Sequence, residues 1–422
     1  MAKFAIDLTP LKKYPDFRNL WTAGLISYFG SMITYVALPF QLKELTGSYL
    51  AVGALGVVEI VPLIIFGLYG GVLADSVNRK KMVWATEAGA LVLVLVLLGN
   101  SLMGSPKTFI IYLVAALFAV VDGLQRPSMD AMLPRLVSHE DLPAASALLS
   151  LRWQVGVIVG PTLGGIIFST LSVSAGFVVD IATYVLSLIF LSRVRSIPPS
   201  KEAEKPSLAA LFDGVKYALK RQDLLGTYII DLAAMTLAMP MALYPFWADQ
   251  LNAPWALGLF YASITVGSVC VTLTSGWTRT YRFHGRAVIL AAMGWGLAVA
   301  AAGLSNSLIL VLICMTIAGA FDMVSALFRG NIWNQTIPDN FRGRLAGIEL
   351  LSYSVGPLAG QLRAASMAAA TSLSFSVTSG GLMCAAVVGF LALFLPKMWK
   401  YDVETNEFAV REREIRKNRE NS

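Results

Sequence analysis

The chain has 422 residues, of which 56% are hydrophobic and 14% charged, with a mean hydropathy of +0.66 and a formal net charge of +7. Soluble domains carry about 25% charged residues, so this composition excludes a soluble globular protein and makes the lipid bilayer the solvent. The cysteines lie inside apolar stretches and the histidines in loops, which excludes a disulfide framework and a Cys/His site. We therefore expect no metal, no cofactor and no enzymatic chemistry.

Apolar stretches long enough to cross a membrane follow one another along the chain. A spanning helix needs roughly 20 mainly apolar residues, because its backbone hydrogen bonds must be made within the segment. We predict an all-α integral membrane protein with twelve transmembrane helices. In chain order the predicted spans are Leu20–Leu42, Leu50–Ala74, Val83–Leu102, Ile110–Met132, Ala144–Phe168, Val173–Leu191, Leu225–Trp247, Leu257–Trp277, Ala287–Ser305, Leu308–Asn331, Leu345–Ala369 and Ser379–Leu395.

Basic residues fall almost entirely in the connectors on one side of these spans. The opposite side offers only Lys43 with Glu44, Lys107 and Asp249. The bias places both termini of a multi-pass membrane protein in the cytoplasm. Because the charges are spread over six short loops, they favour lipid headgroups over nucleic acid as the partner. The basic connectors hold Arg79, Lys80, Lys81, the segment Arg193 to Arg221, Arg279, Arg282, Arg286, Arg342 and Arg344.

The spans divide into two sets of six. The sequence VGPTLGG (Val159–Gly165) in the fifth span recurs as VGPLAGQ (Val355–Gln361) in the eleventh, which predicts pseudo-symmetric halves with a substrate cavity between them. Between the sets lies an amphipathic stretch, Leu208–Arg221, which we expect to lie flat on the inner leaflet. We expect the C-terminal tail to be solvated. The predicted domains are the first half at 1–194, the linker at 195–222, the second half at 223–396 and the cytoplasmic tail at 397–422.

Charged residues inside the spans are the best pointers to function, because each costs at least about 2.5–3.5 kcal/mol on insertion scales. Asp122, Arg126 and Asp130 stand four residues apart on the fourth helix and form an acid-base-acid ladder on one face. We predict Asp122 as a proton-coupling acid, together with Glu59 and with Asp322, its counterpart in the second half. The alternative is that Asp122 forms a fixed structural pair with Arg126.

Candidate substrate contacts are cationic and aromatic. The guanidinium groups of Arg126 and Arg152 suit an anionic aromatic compound, because they bind oxyanions and stack on rings. The alternative for the aromatic residues is an interfacial belt or helix packing. Asp180 is expected to hold the sixth helix in place, and Arg363 to snorkel towards the headgroups. The rings that could contact a substrate are those of Tyr35, Trp153, Tyr244, Trp333 and Tyr353.

The sequence GGVLADSVNRKK (Gly70–Lys81) after the second span resembles the loop signature of the major facilitator superfamily. Ser76 and Asn78 depart from the common arginine and glycine, and Asn78 is expected to keep the turn in a left-handed backbone. The alternative is that the basic residues serve only as cytoplasmic anchors. The resemblance implies a cytoplasmic latch in which helices approach at Gly71, Asp75 caps a neighbouring helix and Arg79 pairs with Asp130.

The fifth span holds a second signature, similar to the glycine-proline motif associated with antiporters of this superfamily. Its residues are Gly156, Gly160, Pro161 and Gly164. Small residues at this spacing allow close helix contact, and the proline bends the helix, so the resemblance implies an outer gate. A generic small-residue packing face is the alternative for the glycines.

Nearly the whole chain resembles the family of the bacterial enterobactin exporter. The segments that carry the resemblance are LKKYPDFRNLWTAGLIS, GGVLADSVNRKK, LYPFWADQLNA, GLFYASITVGSVCVTLTSG and GRLAGIELL. It implies a monomeric, proton-driven exporter of a siderophore or a similar bulky small molecule in the bacterial inner membrane. Acidic Glu87 and Glu349 depart from the family pattern. A multidrug or macrolide exporter is the first alternative and a proton-driven nutrient importer the second; no phosphate-cradling loop is present, so ATP does not drive the cycle directly.

Overall fold

A computed structural model describes residues 7–198 and 216–420. Side chains at 68, 70–72, 74–76, 130–131, 279, 339–344, 346–352 and 416–420 lie outside that description, and so does most of the predicted amphipathic stretch. The helices that hold the predicted spans are α1 (Pro15–Thr46), α2 (Tyr49–Ser76), α3 (Arg79–Ser101), α4 (Thr108–Leu136), α5 (Leu142–Thr170), α6 (Val173–Ser192), α7 (Gln222–Ala238), α8 (Leu257–Leu273), α9 (His284–Leu304), α10 (Leu308–Thr336), α11 (Asp339–Ala370) and α12 (Leu373–Phe394).

Shorter helical segments join and follow these helices, and the described part of the chain holds no strand. Eleven helical stretches of that part are long and apolar enough to cross a membrane. The remaining predicted span lies in α11, which has 32 residues. The prediction of an all-α integral membrane protein is confirmed. The shorter segments are Thr9–Lys13, His139–Asp141, Met241–Leu243, Tyr244–Gln250, Pro254–Ala256, Ser275–Arg279, Pro396–Trp399 and Glu407–Glu420.

Small polar residues between the apolar stretches begin several helices. Ser48, Ser172 and Ser372 accept backbone N–H groups of the first turns of α2, α6 and α12. Asn78 does the same for α3, through Lys81 N at 3.2 Å. These caps satisfy donors that the first turn leaves free. The expectation of a left-handed Asn78 is wrong: its φ is −66°, because the residue begins a helix instead of making a turn.

The predicted seventh span is interrupted. Helix α7 ends at Ala238, and the chain continues through Pro240 into Met241–Leu243 and Tyr244–Gln250. Proline lacks the N–H that would continue the hydrogen-bond ladder and its ring clashes with the preceding turn, so a break here follows from the sequence.

The chain forms two compact units, and the first contains α1 to α6 together with Ala248–Ala262. Within it, α2 packs mainly on α4, α1 on α5 and α6, and α3 on α4 and α6. The α2–α4 crossing is close at Gly123, whose absent side chain would lie 2.7 Å from Gly67 N and 2.8 Å from Phe66 C. A glycine is required there because any β-carbon would overlap backbone.

The second unit repeats this packing pattern. Helix α7 packs on α11 and α12, and α9 packs on α10 and α12. Helices α8 and α10 approach closely through Gly267, which faces Thr316 and Ala320, and Gly319, which faces Ile264. The same six-helix plan therefore occurs twice, as the internal repeat predicts. The domain boundaries proposed from sequence remain a prediction.

The C-terminal tail is packed against the second unit, so the expectation of a solvated tail is wrong for its described part. Tyr401 is 1% exposed and its ring stacks on His284, with centroids 5.9 Å apart. Asp402 accepts a 2.6 Å bond from Arg282 Nη2, ahead of α9. The Phe408 ring centroid lies 3.7 Å from the Arg221 guanidinium carbon. Aromatic contacts and ion pairs thus hold the tail against the second unit, although its low hydropathy predicted exposure to solvent.

Candidate functional site

Two acidic side chains are buried in the core of the first unit. Glu87 on α3 is 5% exposed, and its Oε1 accepts from Ser27 Oγ at 3.0 Å and Gln125 Nε2 at 3.2 Å. Asp180 on α6 is fully buried and accepts from the hydroxyls of Thr34 and Thr183. Neutral groups from α1, α4 and α6 thus solvate both carboxyls. We call Glu87, Asp180 and these four donors the inner polar cluster.

The predicted proton-coupling and cationic residues of the first unit come together around Tyr28 on α1. The charges of Asp122, Arg126 and Arg152 all act on the Tyr28 hydroxyl. Asp122 also acts on Glu59, which α2 supplies. Helices α2, α4 and α5 therefore contribute two acids and two guanidinium groups to one region around Tyr28 of α1, named here the Tyr28 cluster. Asp122 and Arg126 are exposed and Glu59 is half-buried.

Arg152 connects the two clusters. Its guanidinium packs on α1 at Gly24, where an added β-carbon would lie 2.8 Å from Arg152 Cζ. Its charge acts on Glu87 of the inner polar cluster as well as on Tyr28. Gly24 is one helical turn from Ser27, so this glycine makes room for the guanidinium beside the Glu87 site. The sequence predicts Arg152 as a cationic substrate contact. Its position between the inner polar cluster and the Tyr28 cluster depends on helix packing and could not be predicted.

The second unit places Asp322 near a buried ion pair. Arg329 on α10 pairs with Asp231 on α7, and both are more than 90% buried. The charges of both partners act on Asp322. In the first unit Arg126, four residues after Asp122, is instead exposed, so the two halves present different electrostatics. Sequence spacing identified Asp322, but the Arg329–Asp231 pair is a long-range contact that it missed.

The predicted aromatic contacts fall into two groups. Tyr35, Trp153 and Tyr353 are exposed by 38%, 48% and 44%, and the Tyr35 ring meets Tyr261 edge-on, with centroids 6.0 Å apart. Tyr244, in contrast, is fully buried. Their roles as substrate contacts remain a prediction.

Trp333 has structural partners. Its Nε1 donates to Thr227 Oγ1 at 2.8 Å, and its ring stacks on Tyr228, with centroids 5.4 Å apart. These contacts fix Trp333 of α10 against α7. Its ring is thus already used for helix packing.

The glycines of the α5 motif face α1. An added β-carbon at Gly156 would meet the Tyr28 ring, at Gly160 it would lie 2.6 Å from Met32 Cβ, and at Gly164 it would lie 3.4 Å from Ile33 Cα. The row therefore forms a close helix-packing face, the alternative that the sequence left open. It also places the Tyr28 ring against α5.

Pro161 and Gly165 of the same helix face a different partner, the segment Ala248–Ala262. A β-carbon at Gly165 would lie 2.6 Å from Gly258 N, and one at Gly258 would lie 2.5 Å from Pro161 C. Asp249 of the same segment pairs with Lys43 at the end of α1, which also pairs with Glu44 at 2.6 Å. The proline end of the motif therefore meets the first turn of α8, on the side opposite the basic connectors. This position suits the predicted outer gate, which stays a prediction.

The predicted latch is only partly described. Arg79 is 6% exposed, and its backbone N donates to Ile197 O at 3.1 Å. Lys80 Nζ donates to Ser192 O at 2.9 Å, and Asn78 Nδ2 to Ser196 Oγ at 2.5 Å. The loop after α2 is thus fastened to the end of α6. The side chains of Gly71, Asp75 and Asp130 lie outside the described residues, so the Arg79–Asp130 pair remains a prediction.

A comparison with known families decides the assignment. The family model described as transmembrane secretion effector matches residues 5–420, almost the whole chain. The chain belongs to the transmembrane secretion effector family. As a family member with a major facilitator fold, it is a multi-pass secondary transporter and not an enzyme.

Individual relatives carry the name of the exporter that the sequence resembles. The enterobactin exporter EntS of Shigella boydii serotype 18 is 28% identical over 345 residues, which cover 81% of this chain and 83% of the relative. EntS of Escherichia coli O81 matches with the same identity and coverage. The resemblance predicted from segments is therefore confirmed.

Solved transporter structures share the fold of this family member. A mutant of the nucleoside transporter NupG superposes with a TM-score of 0.76 at 11% identity, over 91% of this chain and 100% of NupG. A bacterial homologue of the human lysosomal transporter Spinster superposes with a TM-score of 0.69 at 13% identity, over 92% and 97%. At such identities the likeness concerns the fold alone.

Arg363 corrects one further expectation about this transporter. Its side chain turns inward on α12, where Nη1 donates to Ser376 O at 3.0 Å and the guanidinium lies over Gly380. The predicted snorkelling is wrong, because Gly380 leaves room for the guanidinium between helices. Gly380 was the residue in the sequence that could have indicated this inward position of Arg363.

Proposed function

We propose that this protein is a proton-coupled exporter of a siderophore or a similarly bulky phenolic compound. It would work as a monomer in the bacterial inner membrane with both termini in the cytoplasm. Its partners are protons, the small-molecule substrate and lipid, and not nucleic acid. The names of the curated relatives and the antiporter-type motif on α5 support export over import.

The observation that carries this proposal is the Tyr28 cluster, which combines carboxyl and guanidinium groups. A phenolic hydroxyl donates well to a carboxylate, and an arginine stacks on aromatic rings. A proton on the same carboxyl removes its negative charge and turns it into a donor. Protons and a phenolic substrate therefore compete at Glu59 and Asp122. An antiporter requires such competition, because each conformational change must carry either the proton or the substrate across the membrane.

Efflux of a catecholate siderophore from a host lacking its own exporter tests the proposal. The native chain, Asp122→Asn and the matched control Asp141→Asn are compared with and without an uncoupler. Asp141 is bonded to Lys13 at 2.8 Å, outside the Tyr28 cluster. We expect export by the native chain and the control, and loss of export both in Asp122→Asn and in uncoupled cells.

Each other outcome has a defined meaning. Export that survives the uncoupler contradicts proton coupling, and full export by Asp122→Asn removes Asp122 from the coupling step. No siderophore export by the native chain moves the assignment to a multidrug or macrolide exporter. Accumulation of a labelled nutrient by vesicles with an imposed inside-alkaline gradient would identify an importer instead.

A further inference from the structure

Glu87 is buried with half of its hydrogen-bonding capacity unused. Its Oε1 accepts two bonds, whereas its Oε2 has no partner. The hydroxyl of Ser187 on α6 is fully buried, interacts with Glu87 and has no other partner. The two atoms therefore depend on each other for a hydrogen bond, because an orphaned buried polar atom costs about 1–3 kcal/mol.

The charges around Glu87 come from α5 and α6. Arg152 of α5 is the cation that acts on it. Asp180 and Tyr184 of α6 both interact electrostatically with Glu87. The charge of Asp122 on α4 also acts on Tyr184. The groups offered by α1 and α4, Ser27 and Gln125, are neutral. One guanidinium of the described residues, that of Arg152, thus acts on Glu87 and also on the Tyr28 cluster.

We propose that Glu87 Oε2 and Ser187 Oγ form a second proton-binding site inside the first unit. A proton taken up by the carboxylate gives an O–H group that donates to Ser187 Oγ. When the proton leaves, the Ser187 hydroxyl rotates and donates to Oε2, since a hydroxyl serves as donor or acceptor. Both states satisfy both atoms, so loading and unloading the site needs no repacking.

Asp180 provides the internal contrast. It is as deeply buried as Glu87, but Thr34 donates to one of its oxygens and Thr183 to the other. Both carboxyl oxygens of Asp180 therefore already accept a hydrogen bond, and neither needs a proton to be satisfied. The structure thus assigns a structural role to Asp180 and a proton-carrying role to Glu87.

The Glu87 site communicates with the Tyr28 cluster through Arg152. Loss of the Glu87 charge leaves the guanidinium less compensated, which makes the potential at Tyr28 and Asp122 more positive. The role of Glu87 in coupling rests on the proposed function, whereas proton binding at Glu87 does not.

Infrared difference spectroscopy of the full chain in lipid tests proton binding without any substrate. Acidification should produce the carbonyl band of a buried protonated carboxyl in the native chain. Glu59 and Asp122 add carbonyl bands of their own, so the component that belongs to Glu87 is the one that should be absent in Glu87→Gln, retained in the matched control Glu44→Gln, and shifted in Ser187→Ala, which lacks the bonding partner. An unchanged band in Glu87→Gln, or no shift in Ser187→Ala, overturns the site. Ser187→Ala keeps the test valid if Glu87→Gln does not fold.

A transport assay then separates coupling from proton binding. In proteoliposomes, Glu87→Gln should lose gradient-driven siderophore transport while retaining substrate exchange at zero gradient. Normal gradient-driven transport by this variant overturns the coupling role. If the native chain shows the infrared band but moves no siderophore, the proposed function fails and the proton site stands.

Discussion

Replacing Arg221 by alanine tests how the end of the linker is fastened to the second unit. Arg221 is 4% exposed and donates to both oxygens of Asp223, at 3.2 and 2.7 Å. It also donates to Thr336 O at 2.7 Å and to Tyr217 OH at 3.0 Å. Its removal leaves the Asp223 carboxylate, itself 4% exposed, without its cation. Breaking a buried pair in this way costs about 3–5 kcal/mol.

Reversible unfolding of the purified protein in mixed detergent micelles measures this loss. Arg286→Ala is the matched control, because Arg286 also lies over an aromatic ring, Phe283 at 4.4 Å, but bonds the Trp399 carbonyl at 3.2 Å and not a carboxylate. Losing that bond should cost about 0.5–1.5 kcal/mol. The double change Arg221→Met with Asp223→Leu should recover much of the loss, since no charge is then stranded.

Two results would refute this reasoning. Equal losses of unfolding free energy in Arg221→Ala and Arg286→Ala would mean that the Arg221–Asp223 ion pair stabilises the protein no more than the Arg286 bond to a backbone carbonyl. A double variant no more stable than Arg221→Ala would mean that the other bonds of Arg221, and not the stranded charge, account for the loss.

Two further predictions concern Gly258 and the C-terminal tail. Gly258→Ala places a methyl group against the backbone of Pro161 and should lower the free energy of unfolding by about 1–3 kcal/mol; Gly276→Ala, which meets open space, should be neutral in the same assay. At the tail, the Arg282 guanidinium bonded to Asp402 holds the pKa of that carboxyl below its usual range. The pair therefore stabilises the fold at neutral pH, and the advantage is lost as the pH falls through the folded-state pKa of Asp402. The gap in thermal stability between the native chain and Asp402→Asn should close on acidification, and a constant gap would contradict this.

Local features of the chain were enough to predict the helices. Each apolar stretch is bounded by polar residues, and in the structure Ser48, Ser172 and Ser372 cap the helices that follow them. The four-residue spacing of Asp122 and Arg126 on one helix also led to the Tyr28 cluster. Periodicity and capping are short-range properties, so a single sequence carries them.

Contacts between helices far apart in the chain could not be predicted in this way. Ser27 is 60 residues from Glu87, and Gln125 is 38 residues from it, so the inner polar cluster exists only once α1, α3 and α4 are packed. Glu87 looked like an isolated departure from the family pattern for this reason. The docked tail was missed because hydropathy averages hide single anchors such as Tyr401 and Phe408, which fix an otherwise polar segment.

The membership of Ala248–Ala262 in the first unit has a consequence for chimeras between relatives. An exchange of residues 1–194 alone would pair a foreign α5 with the resident Gly258, and a foreign α1 with the resident Asp249. Both contacts depend on matched surfaces, a backbone approach in one case and an ion pair in the other. A graft that keeps the first unit intact has to carry a short passage from the second half of the gene along with the first half.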